Sequence, residues 1–317
     1  MRAGSDASRV ARNAADPALI EFEGVGHTYR SFTGRTVRAV EDFSLSIGES
    51  EVFGLAGPNG AGKSTLIALL LGYLEPTNGT VRVGGMPPRK FVERHGIGYL
   101  SELIAIPPRW KLEEALERYG ILAGVRDSER RGRINEIIAL LGLDEHRGKR
   151  AKELSKGNLQ RLGIAQALLR NERVLILDEP THGLDPVWTQ RFRDVVQTLR
   201  QPGRVIFIAS HNLDELQRLA DRVAIIDHGR LQRVVEPRRA GSAAAIAYVI
   251  SVVGDAAAVL AVLPDARTTG ENEYEVTRDL ASLNAGISEL LLRGVLVSSL
   301  RPAHSVLEQH FREAVGQ

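Results

Sequence analysis

Two stretches of this chain carry residues that could do chemistry together. Gly57-Pro58-Asn59-Gly60-Ala61-Gly62-Lys63-Ser64-Thr65 fits the pattern G-x-x-x-x-G-K-[ST] of a phosphate-binding loop. Its glycines let backbone N–H groups turn inward on a phosphate. Lys63 can reach β- and γ-phosphates, and the Ser64 hydroxyl can ligate Mg²⁺. The second stretch, Val174 to Glu179, is an apolar run ending in two carboxylates. Asp178 would hold Mg²⁺ through water, and Glu179 would point at the water attacking the γ-phosphate. One carboxylate for the metal and the next for the nucleophile is the division that phosphoryl transfer asks for. An Asp-Glu turn could also be merely a solvated strand end, but the phosphate loop in the same chain argues for chemistry.

These residues need elements to position them. Val52 to Ala56 reads as a buried parallel strand feeding the loop, and Leu66 to Leu74 as the helix leaving it. The helix N-terminus adds partial positive charge and free N–H donors. Val174 to Leu177 reads as a central parallel strand. Val205 to Ala209 reads as another, closing in Ser210-His211. Between them lies Leu154-Ser155-Lys156-Gly157-Asn158-Leu159-Gln160-Arg161, followed by apolar residues to Leu169 at helical spacing. A Ser hydroxyl and a flexible Gly at a helix start can clamp a γ-phosphate; the simpler role is an ordinary Ser N-cap. Leu112, Ala115, Leu116 and Tyr119, then Ile134, Ile137, Ile138 and Leu141, predict two further helices. Val223 to Asp227, the turn His228-Gly229 and Leu231 to Val235 predict a hairpin.

In this order the motifs resemble the ATP-binding cassette (ABC) family. The family's signature is usually Leu-Ser-Gly-Gly-Gln at the start of a helix; here Ser155 and Gly157 match, while Lys156 and Asn158 depart. Ile97-Gly98-Tyr99-Leu100-Ser101-Glu102 looks like the loop whose usual Gln senses Mg²⁺ and the membrane partner, with Glu102 in its place. Gly183-Leu184-Asp185-Pro186 resembles the D-loop that crosses the dimer interface, and His211 the switch histidine at the γ-phosphate. Tyr29 sits where the family has its adenine-stacking aromatic, although an edge-strand Tyr packing on a sheet is the plainer role.

The resemblance covers roughly residues 19–237. It implies an α/β P-loop NTPase cassette, with a RecA-like mixed sheet, an antiparallel β subdomain, and a helical subdomain at 103–152. It implies Glu179 and His211 as catalytic residues. ATP would be bound by Tyr29, by Gly57 to Thr65, and by Ser155, Gly157 and Asp185. Mg²⁺ would be held by Ser64, Glu102 and Asp178. The implied partners are separate transmembrane subunits and a second nucleotide-binding subunit, in a homo- or heterodimer, at the cytoplasmic face of the membrane. Altered signatures occur in the multidrug and lipid exporter branch, so export is the expected direction. The rival expectation is a soluble ABC ATPase acting on ribosomes or DNA. Ribosomal members usually carry two cassettes, and repair members a long coiled coil that no heptad run supports here.

Composition sets the frame. Of 317 residues, 43% are hydrophobic and 25% charged, ordinary for a globular protein. A net charge of +2 gives no field that demands nucleic acid. There is no cysteine, which removes disulfides, thiolate chemistry and Cys-based metal sites. Residues 1–18 lack periodicity and the apolar core of a signal peptide, and read as a disordered tail. Ala243 to Leu263 is apolar enough to suggest a membrane span, but Gly254-Asp255 interrupts it and a central Asp is expensive in lipid. It reads instead as a strand and a short helix within a small accessory α+β domain, 238–317, with a strand at Tyr274 to Val276, a helix at Leu280 to Leu292, a strand at Val295 to Val297 and a last helix around Leu307. Arg126, Arg130, Arg131 and Arg133, with Arg147, Lys149, Arg150 and Lys152, read as a solvated charged face or as attraction to anionic lipid.

Overall fold

The computed structural model describes residues 18–30, 34–237, 246–254, 256–303 and 306–315. The expected tail lies outside these residues up to position 17; Ala18 already begins a strand. The chain divides into two compact units, with the boundary between Val234 and Val235.

The first unit is organised by a six-stranded sheet. Its strand order is Gly98–Leu100, Val174–Asp178, Val205–Ser210, Val52–Ala56, Arg222–Asp227 and Arg230–Val235. The central strands are buried along their whole length, as their unbroken Val/Ile/Leu runs require. The first five strands run parallel, and their register sets the site. Ala56 lies opposite Ser210, and Asp178 opposite Ala209. The phosphate loop, the Asp178-Glu179 pair and Ser210-His211 therefore leave the sheet at one carboxyl edge, where open α/β sheets bind ligands.

A three-stranded antiparallel sheet, Thr36–Gly48, Ala18–Arg30 and Asn78–Val83, shares this core. The rings of Phe22 and Phe43 meet edge-on within it. The helix after the phosphate loop runs Lys63–Leu70, shorter than the apolar run suggested, because Gly72 turns left-handed at φ 69°. The predicted helical segment contains Leu112–Leu122 and Asp127–Leu140, packed through Leu116, Ile134 and Ile138. Arg130 pairs with Glu117 at 2.6 Å, and Arg147 with Glu113 and Asp144. Arg126 and Arg133 pair with Glu129 and Glu136. Arg130, Arg133 and Arg147 are partly buried in these pairs, while Arg126 stays exposed.

The second unit is β-α-β-β-α-β followed by a helix. Its antiparallel sheet has the order Arg267–Gly270, Glu273–Arg278, Ile246–Val253 and Leu296–Pro302. Helices Ala256–Val262 and Leu280–Leu292 complete a core of Ile250, Val252, Val259, Leu263, Tyr274, Leu283 and Leu290. Within the stretch that could have passed for a membrane span, Ile246–Val253 is a strand and Ala256–Val262 a short helix, while residues 243–245 and Asp255 lie outside the described residues. No helix among the described residues is long and apolar enough to cross a membrane.

Candidate nucleotide site

The phosphate loop is shaped by what its neighbours leave no room for. Gly62 adopts φ 107°, and a Cβ there would sit 2.5 Å from the Ala39 carbonyl. Only glycine fits both the left-handed backbone and the contact. Gly62 is also the N-cap of the helix Lys63–Leu70, so the free N–H groups of its first turn face the cleft without a capping side chain. Lys63 is 9% exposed and donates to the Gly57 and Pro58 carbonyls at 2.6 and 3.2 Å. Burial lowers its pKa, against the opposing pull of Glu179, Asp178 and Glu102. Ser64 is exposed, and Ala61 closes the loop by donating to the Pro58 carbonyl at 3.1 Å.

Facing the loop are the carboxylates. Asp178 is 6% exposed, and its pKa is pushed up to about 6, first by burial and then by the charges of Glu102 and Glu179. Glu179 takes a left-handed backbone, φ 48°, which costs a non-glycine residue about 1–2 kcal/mol. Several bonds hold it there. Its N–H donates to the Ala209 carbonyl at 2.9 Å, and Gln160 Nε2 donates to the Glu179 and Pro180 carbonyls at 3.1 and 3.0 Å. Its carboxylate accepts from Ser210 Oγ at 3.1 Å and from the His211 backbone N–H at 2.9 Å. His211 Nδ1 lies 2.8 Å from the same carboxylate. Behind this turn Thr181 bonds Glu215, whose pKa burial raises.

The cleft these groups enclose is about 580 Å³. It is lined by Asn59, Gly60, Gly62, Lys63, Ser64, Thr65, Glu102, Asp178, Glu179 and His211, all predicted, and by Ala39 and His182. Gly57, Pro58 and Ala61 serve the loop from behind. Tyr29 stands beside the cleft; its hydroxyl is 3.3 Å from Thr65 Oγ1, and its ring meets His27 edge-on. Ser155, Gly157 and Asp185 do not line the cleft of their own chain. Ser155 accepts from the Asn158 N–H at 3.2 Å and Asp185 from the Trp188 N–H at 2.9 Å, so within one chain both act as helix caps. Sequence reasoning missed His182, whose N–H donates to the Glu179 carbonyl at 3.1 Å. Its position three residues past the Asp-Glu pair was the available signal. Gln160 and Glu215 had no such signal.

The donor set fits a magnesium nucleotide. A hydroxyl and carboxylates are hard oxygen donors, and Asp178, crowded by like charges, would be relieved by a cation. Among the described residues no group of three His, Asp or Glu converges on a metal cage. Mg²⁺ is usually held by one or two carboxylates plus phosphates, and Asp178 and Glu102 both line the cleft beside the phosphate loop.

Sheet, loop and paired carboxylates define a nucleotide-hydrolysing α/β cassette. Comparison with known proteins gives the family. The family model described as ABC transporter matches residues 40–182. An uncharacterized ABC transporter ATP-binding protein of Bacillus subtilis, YhcH, is 30% identical over 94% of this chain and 96% of its own length. Another, all4389 of Nostoc sp., is 37% identical over 68% of this chain, which spans 65% of that relative. The structure titled as a post-hydrolysis state of the cassette MJ0796 bound to ADP and Pi is similar in fold (TM-score 0.64, 23% identity) over 69% of this chain and 99% of that one. Relatives named for opposite directions also match: a Nod factor export ATP-binding protein I of Paraburkholderia xenovorans at 34% identity over 67% of this chain and 69% of its own length, and the methionine import protein MetN of Bacillus subtilis at 35% over 67% and 64%. The chain belongs to the ABC transporter ATP-binding proteins, and its cassette is an ATPase. The rival expectation of a ribosomal or DNA-bound ATPase finds no support in these relatives, which carry transporter names.

Proposed function

We propose that this chain hydrolyses Mg-ATP as one half of a nucleotide-sandwich dimer and so drives export through separate membrane subunits. The observation that carries the reading is the shared carboxyl edge, where Glu179 is held by Ser210 and His211 opposite Lys63. Lys63 and the loop N–H groups bind the phosphates, and Tyr29 packs on the base. Bound Mg²⁺ would neutralise phosphate charge, with Ser64, Asp178 and Glu102 as its protein oxygens. Glu179 takes the proton of the attacking water, a role worth typically 10²–10⁴-fold. His211 steadies that carboxylate and the γ-phosphate end of the cleft. Ser155, Gly157 and Asp185, remote from their own cleft, close over the ATP of the second subunit. ATP binding then shifts the population toward the closed dimer, and the loop at Glu102 passes the motion to the membrane subunits. The working place is the cytoplasmic face of the membrane.

Glu102, the altered signature and the second unit support export; the relative named for import is the contrary indication. The test is co-purification of Glu179→Gln with Mg-ATP from membranes after mild detergent extraction. A polytopic membrane protein is the expected companion, and ribosomal or DNA-bound material refutes the transport reading. Flux of the identified substrate in inside-out vesicles then decides direction: ATP-dependent uptake supports export, and no uptake with ATP-dependent loss shows import.

A further inference from the structure

The start of the signature helix, Lys156–Ala167, is tied to the rest of its unit through a side chain that no motif predicts. Asn158 stands where the family usually has Gln. Its carboxamide oxygen accepts from the Arg161 guanidinium, and its amide nitrogen lies 2.9 Å from His146 Nε2. A guanidinium can only donate, so it fixes which end of the amide it faces. The amide nitrogen, which also only donates, must then find an acceptor in Nε2. The ring proton is therefore on Nδ1, which is buried without a hydrogen-bond partner among the described residues. A protonated ring would set an N–H against an NH₂.

Arg161 is itself anchored. It donates to the Leu141 and Gly142 carbonyls, both at 3.1 Å, and lies 3.8 Å over the Trp188 ring. Trp188 belongs to the first turn of the helix Pro186–Leu199, which Asp185 caps. The end of the helix Asp127–Leu140, the signature and the D-loop helix thus meet around Asn158. The charged groups acting on His146 are Lys149 and Arg161, which oppose its protonation, and Glu145, which favours it. Burial is the largest influence, and the net effect is a pKa below the ordinary histidine value.

We propose that His146 is a positioning residue for the signature: its neutral imidazole holds Asn158, which holds the helix start so that Ser155 and Gly157 can clamp the ATP of the second subunit. This rests on the sandwich reading above. Closure should therefore weaken as His146 gains a proton, on the acid side of the ordinary histidine range.

The experiment uses the full chain carrying Glu179→Gln, with His146→Leu and His146→Gln added separately. Leu removes the acceptor; Gln retains an acceptor oxygen and does not titrate. Mg-ATP-driven dimerisation is read by light scattering, and monomer affinity with a fluorescent ATP analogue. His146→Leu is expected to weaken dimerisation about tenfold, the scale of one lost hydrogen bond, with monomer affinity unchanged. His146→Gln should restore dimerisation at neutral pH and remove part of the loss below about pH 6.5. Asp178 titrates in the parent and in the Gln variant alike, so their difference isolates His146. The proposal is overturned if Leu and Gln behave alike in dimerisation, if monomer binding falls in step with it, or if the Gln variant keeps the parent's pH profile. Should His146→Leu fail to fold, the Gln profile alone decides. A parent that never dimerises with Mg-ATP refutes a sandwich between two copies of this chain, and this proposal with it; dimerisation of the parent that ignores residue 146 refutes only the proposal.

Discussion

Replacing Glu179 by Gln separates the base from the scaffold around it. The change keeps size and an acceptor oxygen. Oε1 can still accept from the His211 N–H, now at 2.9 Å. The Ser210 hydroxyl donates to the other carboxylate oxygen at 3.1 Å and accepts from the Asn212 N–H at 3.1 Å. Facing an amide NH₂ it would have to rotate, a loss of about 1 kcal/mol at most. The backbone, φ 48°, is fixed by bonds from Gln160 and to Ala209 that the substitution does not touch. Fold and ATP binding should therefore survive, while turnover loses the contribution of a positioned base, about 10²–10⁴-fold. At about 1.4 kcal/mol per tenfold this is about 3–5 kcal/mol of barrier, several times the ground-state cost. Phosphate release under single turnover measures the barrier, and equilibrium binding of Mg-ATP measures the ground state. Wild-type turnover would refute Glu179 as the base. Equal losses of binding and turnover would show that the carboxylate serves the site's structure instead.

Three other outcomes follow from the same geometry. Asp178, raised from 3.8 to about 6, holds a proton in the folded chain that the unfolded chain has already lost between those values; stability from this group falls as pH rises through that window. Asp178→Asn should then raise the nucleotide-free melting temperature at neutral pH, and wild-type Mg-ATP affinity should fall below about pH 6 as protons compete with the cation; a lowered melting temperature would contradict this. Gly62→Ala must strain a φ of 107° and displace the Ala39 carbonyl, so nucleotide binding should be lost even where the fold survives, as titration with a fluorescent ATP analogue would show. Tyr29→Ala should weaken ATP by about 0.5–1.5 kcal/mol, or about 2–13-fold, if its ring packs on the base; unchanged affinity would return Tyr29 to a purely structural place beside His27.

What could be read from the chain beforehand follows from how local each device is. The phosphate loop and the Asp178-Glu179 pair are short runs whose spacing states their geometry. The strands around them are apolar runs with no competing period. Parallel register then does the rest, since Ala56, Asp178 and Ser210 reach one edge once their strands align. Gln160 bracing the Glu179 turn, Glu215 behind Thr181, and His146 against Asn158 join residues that no periodicity links. The second unit was legible as elements but not as an arrangement. Nothing in Tyr274 or Val297 says that the strand Ile246–Val253 will sit between theirs.

The departures from the family pattern follow the same division. Lys156 and Asn158 look like damage when the signature is read as a string. In three dimensions the stem of Lys156 lies along Gly183 of the D-loop, and Asn158 joins His146 to Arg161. The altered signature is thus braced on both sides. In the proposed sandwich dimer, that bracing would hold the start of the signature helix in place for the clamp despite the changed residues.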